Sequence, residues 1–535
     1  MRITLLSFII LTSTCILSSC KKILDVTPAD SVSTQFYFRD QNDFDQALVG
    51  LYSSLRATNE NSNNGSYGGN LYWNVASDEM FFQFSWHTPW FDVSTGNLNS
   101  NTADVGSIWS SAYRSIYWAN VIIEKLEEKK SLLSDEFYES ALGEAHFIRG
   151  IVYLRLTSLY GAVPLVDKVL NTPNEAKLPR TSVEEITNNL IVPDLDIAIA
   201  HLKNVPFENK HGKATKQAAI GMKVRALLYL KNYTGTIATA EQLMSLASSS
   251  SSVGFLPIYD SIFRNSNENN KEILFALKYT ASGAKQGSTF NTPFGGALPG
   301  VTGAANGGWG SSAITPELID AFPMKDGKLA TESPLYTDTA KWDNRGARFE
   351  NTFYIAGKSK VNGMVVLPDM IAAAGGAEYK KAYPVNLNKG YMNEDNKINW
   401  LNEDESDFII IRYTDVLLMY AEAKTELNQI DASVYNILNM VRSRAGIADV
   451  PAGQSQSQMR ETIRKERRLE FAFEGLRYFD IRRWGIAKEV INSITSDETY
   501  NFGSRKQFSD KHYLWPVPQS SIDTNPNLLP NNSGY

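Results

Sequence analysis

The sequence predicts a mostly α-helical protein: a scaffold of tetratricopeptide-like helical hairpins that carries one large irregular, loop-rich lobe. Three observations lead there. Apolar residues recur with a helical period on both sides of residues 253–408. Three segments, HFIRGIVYLRLTSLYG (146–161), KQAAIGMKVRALLYLKNYTG (216–235) and TDVLLMYAEAKTELNQ (414–429), mix small residues with bulky ones and are each soon followed by a second helical pattern. Small residues let paired helices approach, as in tetratricopeptide hairpins, although these segments are not evenly spaced. Residues 253–408 lose the period and become rich in Gly, Asn, Pro and aromatics.

The chain has 535 residues and 43% hydrophobic content, enough for one large or two ordinary domains with a real core. A net charge of −6 argues against a polyanion-binding surface and against nucleic acid as a partner. The 10 Trp and 25 Tyr fit a polar ligand met by flat apolar faces, though a large helical core also consumes them.

Residues 1–19 read as a lipoprotein signal peptide. Arg2 is the basic region, and Ile3 to Leu17 is mostly apolar but too short for a permanent span. Leu17-Ser18-Ser19-Cys20 is similar to a bacterial lipobox, with small residues before the cysteine and Cys20 as the lipidated first residue of the mature chain. The only other cysteine, Cys15, leaves with the signal, so no thiol remains for a disulfide, a metal or a nucleophile. Acyl chains on Cys20 suffice for stable attachment, and no run of ~18 apolar residues follows.

Residues 20–38 have no helical period and read as a lipidated tether and strap. Residues 39–252 form the N-terminal helical region. Asp40 caps its first helix, whose Phe44, Leu48, Leu51 and Leu55 share a face to about Arg56. Residues 59–70 are a loop by composition. Residues 71–101 show little helical regularity after Glu79 yet hold eight aromatics. Phe81, Phe82 and Phe84 are expected to pin this stretch to the core. Trp86, His87 and Trp90 stand among Ser, Thr and Pro and are expected to be exposed as ligand contacts, with Asp92, Asn97 and Asn99 available for hydroxyl groups. Helical patterns return over 108–126, 135–159 (ended by Gly161 and Pro164), 182–202 (interrupted at Pro193), 215–233 and 236–247, and serines 248–252 read as a linker.

Residues 253–408 are the irregular lobe, with strand-like runs at 273–279 and 351–356. A loop region this long is usually functional. Its glycine-rich segment 295–312 lacks the lysine of a phosphate loop and the context of a dinucleotide site, but it presents Trp309 between glycines. The acidic residues of 393–407 do not fit a calcium loop and read as a solvated loop, so no metal and no cofactor is assigned.

Residues 409–535 are a C-terminal helical region, with helices at 415–427 and 432–444 and a wrapping tail. In RKERRLEFAFEGLRYFDIRRWG (464–485), charged and large apolar residues alternate almost residue by residue. Such a segment is clamped between other elements, its arginine forks paired to carboxylates while its rings fill the core. A structural role is expected of it.

That stretch closely resembles the C-terminal signature of the SusD/RagB family, outer-membrane lipoproteins of Bacteroidetes that capture glycans beside a TonB-dependent transporter. The LDVTPAD segment, the ASDE motif at 76–79, RYTDVLLMYAEA (412–423), LNMVRSRAG (438–446) and the tail from Tyr513 resemble family blocks too, so the resemblance covers essentially all of 20–535. It implies a SusD-like fold, an oligosaccharide ligand, a SusC-like β-barrel partner on which the protein acts as a lid, and an outer-membrane location facing the cell surface. Lys21-Lys22 departs from the acidic residues that often follow the cysteine in surface-exported relatives, which leaves the periplasmic face open. The resemblance also places the segment between ASDE and the W-x-x-x-Y helix start (Trp109 to Tyr113) beside the glycan site, and lets Trp309, just before Thr315-Pro316-Glu317, line it. No catalytic constellation stands out, so catalytic residues are read as none. The alternatives are a peptide receptor of the RagB type and a lipid-anchored glycoside hydrolase.

Overall fold

The computed structural model describes residues 37–56, 65–67, 71–82, 90–206, 212–280, 312–361, 364–367, 385–387, 406–499 and 506–535. Cys20, the tether before residue 37, Phe84, Trp86, His87 and Trp309 lie outside the described residues.

Helix α1 (Gln41–Ser53) starts where the sequence predicts, with the Asp40 side chain accepting from the Asp43 N–H. Phe44, Leu48, Leu51 and Leu55 are all buried, and Phe38 packs on Phe44. The next stretch holds more regular structure than its sequence suggests: a short helix α2 (Tyr72–Val75), strand β1 (Met80–Phe82) and a six-residue helix α3 (Trp90–Thr95). Phe81 and Phe82 are buried, as expected. Helix α3 is too short for a period to be seen, and its Trp90 is held by tertiary packing.

Helices α4 (Ala103–Glu128) and α5 (Asp135–Tyr160) form the first long hairpin. Gly161, at φ 72°, ends α5 in a conformation that favours glycine. One continuous helix follows, with α6 (Val183–Ile186) running through a π turn (Thr187–Ile191) into α7 (Val192–His201). Pro193 was expected to interrupt this helix and does not. The π turn widens the backbone where the proline ring would collide with the preceding turn, and the Val192 N–H bonds Thr187 O. Helices α8 (Lys216–Tyr229) and α9 (Tyr233–Ser249) form the next hairpin. The expected serine linker is shorter than predicted, because Ser248 and Ser249 complete α9 and the Ser252 hydroxyl bonds Asn204 Oδ1 at 2.8 Å.

Small residues do set the helix spacing. A Cβ on Gly143 would meet Leu202 Cγ at 2.9 Å, and one on Gly221 would meet Leu274 Cδ1 at 3.0 Å. The first lets α5 lie against the end of α7. The second lets α8 lie against a β ribbon.

The described part of the lobe holds β2 (Ile273–Leu277), β3 (Ser312–Ile314), α10 (Pro316–Ala321), α11 (Ala347–Thr352), β4 (Phe353–Ile355), β5 (Lys360–Val361), β6 (Met364–Val365) and β7 (Val385–Leu387), and β8 (Phe408–Arg412) closes it. They pair as antiparallel two-stranded ribbons, β1 with β3, β2 with β8, β4 with β7 and β5 with β6. The β2–β8 ribbon ties the two ends of the lobe to the helical scaffold. Of the acidic stretch expected to be solvated, residues 393–405 lie outside the described residues. Asp407 is buried and ion-paired with Lys278, so it belongs to the ribbon rather than to a solvated loop.

The C-terminal region comprises α12 (Tyr413–Glu426), α13 (Ala432–Ala445), α14 (Gln456–Glu470) and α15 (Arg477–Arg483). The RKERRLEF stretch is structural, as predicted. It ends α14, turns at Phe473 (φ 65°) and Gly475 (φ 73°), and forms α15. Glu470, wholly buried, accepts from Arg412 Nη1 (2.9 Å), Arg444 Nη2 (2.7 Å) and Arg348 Nη1 (2.9 Å). Arg412 also forks onto Glu474 (2.8 and 2.9 Å), and its guanidinium lies 4.5 Å from the Phe471 ring centroid. Arg467 bridges Asp480 and Asp415 (2.9 and 2.8 Å). Forks and rings thus interleave around one turn and weld α12, α13, α14 and the lobe together.

Candidate functional site

The weld reaches forward to the ASDE motif. The Asp78 carboxylate accepts from Arg477 Nε at 2.8 Å and pairs with Arg468 Nη2 at 2.8 Å. Burial opposes its charge, yet the two guanidiniums hold its carboxyl well below the usual carboxylate range. Its neighbour Glu79 has the opposite fate. Burial, then the adjacent Asp78 charge, push its carboxyl up to about 8. Among the described residues, its Oε2 accepts a 3.3 Å bond from the Phe473 N–H and its Oε1 has no hydrogen-bond partner. Gly475 N–H bonds Asn74 Oδ1 at 3.0 Å, so the α14–α15 turn also fixes α2.

This anchor holds one ribbon. The Thr315 N–H donates to Glu79 O (2.9 Å) and its hydroxyl donates to Asp78 O (2.7 Å), which sets β3 against β1. The register pairs Met80 with Ile314, Phe81 with Ala313 and Phe82 with Ser312. Residue 83 follows Phe82 directly, and residue 311 directly precedes Ser312. The segments that carry Trp86 and His87 on one side, and Trp309 on the other, therefore leave the same end of the same ribbon, although more than 200 residues separate them in the chain.

Of the expected contacts that are described, Trp90 departs from the prediction. It is 2% exposed, stacked on Tyr72 (5.4 Å, 17°) and edge-on to Trp73 (4.8 Å, 84°). Trp73 continues the cluster to Tyr478 (5.5 Å) and Trp515 (5.6 Å), and the Trp515 indole N–H donates to the Tyr478 hydroxyl at 2.8 Å. Trp90 is therefore floor rather than an exposed stacking surface. Asp92, in the first turn of α3, is half-buried, and burial raises its carboxyl above the usual range. Asn97 is exposed just beyond α3; its N–H bonds Asp92 O (2.9 Å) and its amide donates to Thr95 Oγ1 (3.0 Å). Asn99 is exposed beside it. Asp92 and Asn97 thus flank the end of α3, joined by a backbone hydrogen bond. Sequence reasoning missed Glu79; two adjacent carboxylates immediately before an apolar run were its signal.

At the other end of the ribbon, a depression of about 1030 Å³ lies between α10 and α14, lined by Asp320, Tyr336, Trp342 and Lys465 among others. Trp342 is engaged there, parallel to Phe349 (6.1 Å, 14°) and with Lys341 Nζ 4.7 Å from its centroid. Among the described residues no group of three or more His, Cys, Asp or Glu could hold a metal ion, and no helix is long and apolar enough to cross a membrane.

Residues 271–535 match the SusD family model, and residues 22–229 match a SusD-like model described as starch-binding associating with outer membrane. The chain is 27% identical over 535 residues to SusD-like protein P25 of Formosa agariphila, covering 97% of each chain. Its fold is similar to that of a SusD-like carbohydrate-binding protein of Bacteroides fragilis (TM-score 0.78, 27% identity, 92% of this chain and 99% of that one). A second SusD-like protein of that species gives a TM-score of 0.77 at 25% identity, over 95% of this chain and all of the other. The chain belongs to the SusD/RagB family, and its mostly helical, tetratricopeptide-like fold is the family's.

Proposed function

We propose that this protein is a lipid-anchored glycan-binding protein of the outer membrane. It captures oligosaccharides and passes them to a partner SusC-like TonB-dependent transporter, on which it acts as a lid at the cell surface. Cys20 carries the lipid, and residues 21–38 tether the lid. The protein works by binding and is not an enzyme.

The observation that carries this reading is the β1–β3 register. It joins the Trp86/His87 segment and the Trp309 segment to one ribbon end, with Asp92 and Asn97 on the same chain just beyond. An indole covers the C–H face of a pyranose, while carboxylate and amide groups bond its hydroxyls. The starch-binding description of the matched model and the carbohydrate-binding name of the Bacteroides fragilis neighbour point the same way.

The test is calorimetric titration of the soluble chain from Lys21 against plant, fungal and microbial oligosaccharides, beside Trp86→Ala and Trp309→Ala. Saturable binding to one glycan class, weakened in either variant with the fold intact, is expected. Binding of peptides and of no sugar, indifferent to both substitutions, would replace this reading with a peptide receptor. Release of new reducing ends from a polysaccharide would replace it with a hydrolase.

A further inference from the structure

A second aromatic feature stands apart from the ribbon. On α4, Trp109, Tyr113 and Tyr117 follow one another at i, i+4 and i+8, and so line one face, with steps of about 6 Å along the axis. Their exposure rises along the row: Trp109 is 6% exposed, Tyr113 half-buried and Tyr117 41% exposed. They line a groove of about 530 Å³, walled by the loop 164–176 and by residues 521–528 of the C-terminal tail.

The groove is built in advance. The Tyr113 hydroxyl donates to Pro164 O at 2.9 Å, and the Asn120 amide donates to Val166 O and Lys168 O at 3.1 and 3.0 Å. These bonds fix the loop against α4. Trp109 is wedged edge-on against Tyr160 (5.0 Å) and tilted against Tyr113 (5.1 Å). Around the rings stand polar groups: Lys168 and Asn171 are exposed on the loop, and Ser521 lies opposite. Lys168 is the one charged side chain among the described residues of the lining.

We propose that this groove is a second oligosaccharide site, separate from the β1–β3 ribbon end. This inference rests on the reading of the protein as a glycan binder. Each step of the row is close to one sugar residue of an extended glycan. A chain laid along α4 meets the rings of Tyr117 and, in part, Tyr113 over a floor of Trp109 on one side, and amide, hydroxyl and ammonium groups on the other. The groove suits a peptide less well. It is made of a helix, a loop and a tail; among the described residues that line it there is no strand edge to pair a peptide backbone, and the carboxylates of the same loop and tail, such as Glu175, are not among its lining. With two sites, one protein grips a long glycan at two points, which strengthens capture of polymers more than of short fragments.

The experiment is calorimetric stoichiometry of the soluble chain from Lys21 with the oligosaccharide that binds best in the panel, in four forms: unaltered, Tyr117→Ala, Trp86→Ala with Trp309→Ala, and all three substitutions. Tyr117 is exposed enough that its loss leaves the fold intact, which circular dichroism checks. Two equivalents are expected for the unaltered protein, one each for the second and third forms, and none for the fourth. Each lost equivalent corresponds to a Kd weakened by about tenfold or more. A Lys168→Met variant that weakens only acidic oligosaccharides would assign the groove to acidic sugars; equal loss or no loss across the panel would assign it to neutral ones. One equivalent, removed by the Trp86/Trp309 substitutions and untouched by Tyr117→Ala, would overturn the second site and leave the first. One equivalent, removed by Tyr117→Ala and untouched at Trp86 and Trp309, would keep the groove and overturn the ribbon-end site. Peptide binding at the groove without sugar, or no sugar bound by any form, would overturn the proposal.

Discussion

Trp90 and Tyr117 are both aromatic residues on helices of the N-terminal half, yet the first is 2% exposed and the second 41%. Trp90 belongs to a floor in which Tyr72, Trp73, Tyr478 and Trp515 close on one another from three distant parts of the chain. Tyr117 ends a row that starts buried, with Trp109 enclosed against Tyr160 of α5, and opens to solvent only at its far end. The difference teaches that aromatic density does not mark a binding surface. What matters is whether the neighbouring rings come from several elements, which encloses them, or from one, which leaves a face open.

The largest expected effect belongs to the buried ion cluster at the end of α14. Glu470→Ala would leave Arg348, Arg412 and Arg444 sharing a buried site without their common carboxylate, and should cost about 5 kcal/mol or prevent folding. Urea denaturation measures it. Trp73→Ala should follow at about 3–5 kcal/mol, because the cavity opens between α2, α3, α15 and the tail. A cost below about 1 kcal/mol would mean the floor is not a packed core.

Glu79 sharpens the same region through pH. In the folded chain it keeps its proton up to about pH 8; unfolded, it loses it near 4.5. Between those values the folded chain binds more protons than the unfolded one. The contribution of Glu79 is therefore present below about pH 4.5 and lost as pH rises through 8. Glu79→Gln should remove that loss and raise stability at pH 8 by about 1–3 kcal/mol relative to its effect at pH 5. Urea midpoints compared at the two pH values would show it, and a constant difference would refute it. Asp78 acts in the reverse sense, stabilising above the ordinary carboxylate range and losing that contribution in acid.

The smallest expected effect completes the comparison. Tyr117→Ala should change stability by no more than about 0.5 kcal/mol, as for an exposed surface position. A cost like that of Trp73→Ala would place Tyr117 in the core after all.

Much of the fold was legible in the sequence. Long helices with a strong period, such as 108–126 and 135–159, appeared within a few residues of their predicted ends, because periodicity and caps are local properties. So did the structural role of residues 464–485, since that many arginines among rings can be accommodated only in pairs. Pro193 misled because a π turn, invisible in a single sequence, absorbed the proline. Trp90 misled because its local sequence is polar while its partners Trp73 and Trp515 are remote. The W-x-x-x-Y spacing of Trp109 and Tyr113 was read as a helix start, and its extension to Tyr117 was in plain sight.

By itself, the sequence determined the helical class, the family and the residue types a sugar would need, all of which follow from local pattern and composition. Only the tertiary structure decided which of those residues meet. Antiparallel pairing of Phe82 with Ser312 depends on a long-range register, and that register is set by Thr315 against the backbone of Asp78 and Glu79. Burial of Trp90 and exposure of Tyr117 likewise depend on which elements close over a ring, and that is a property of the packed whole.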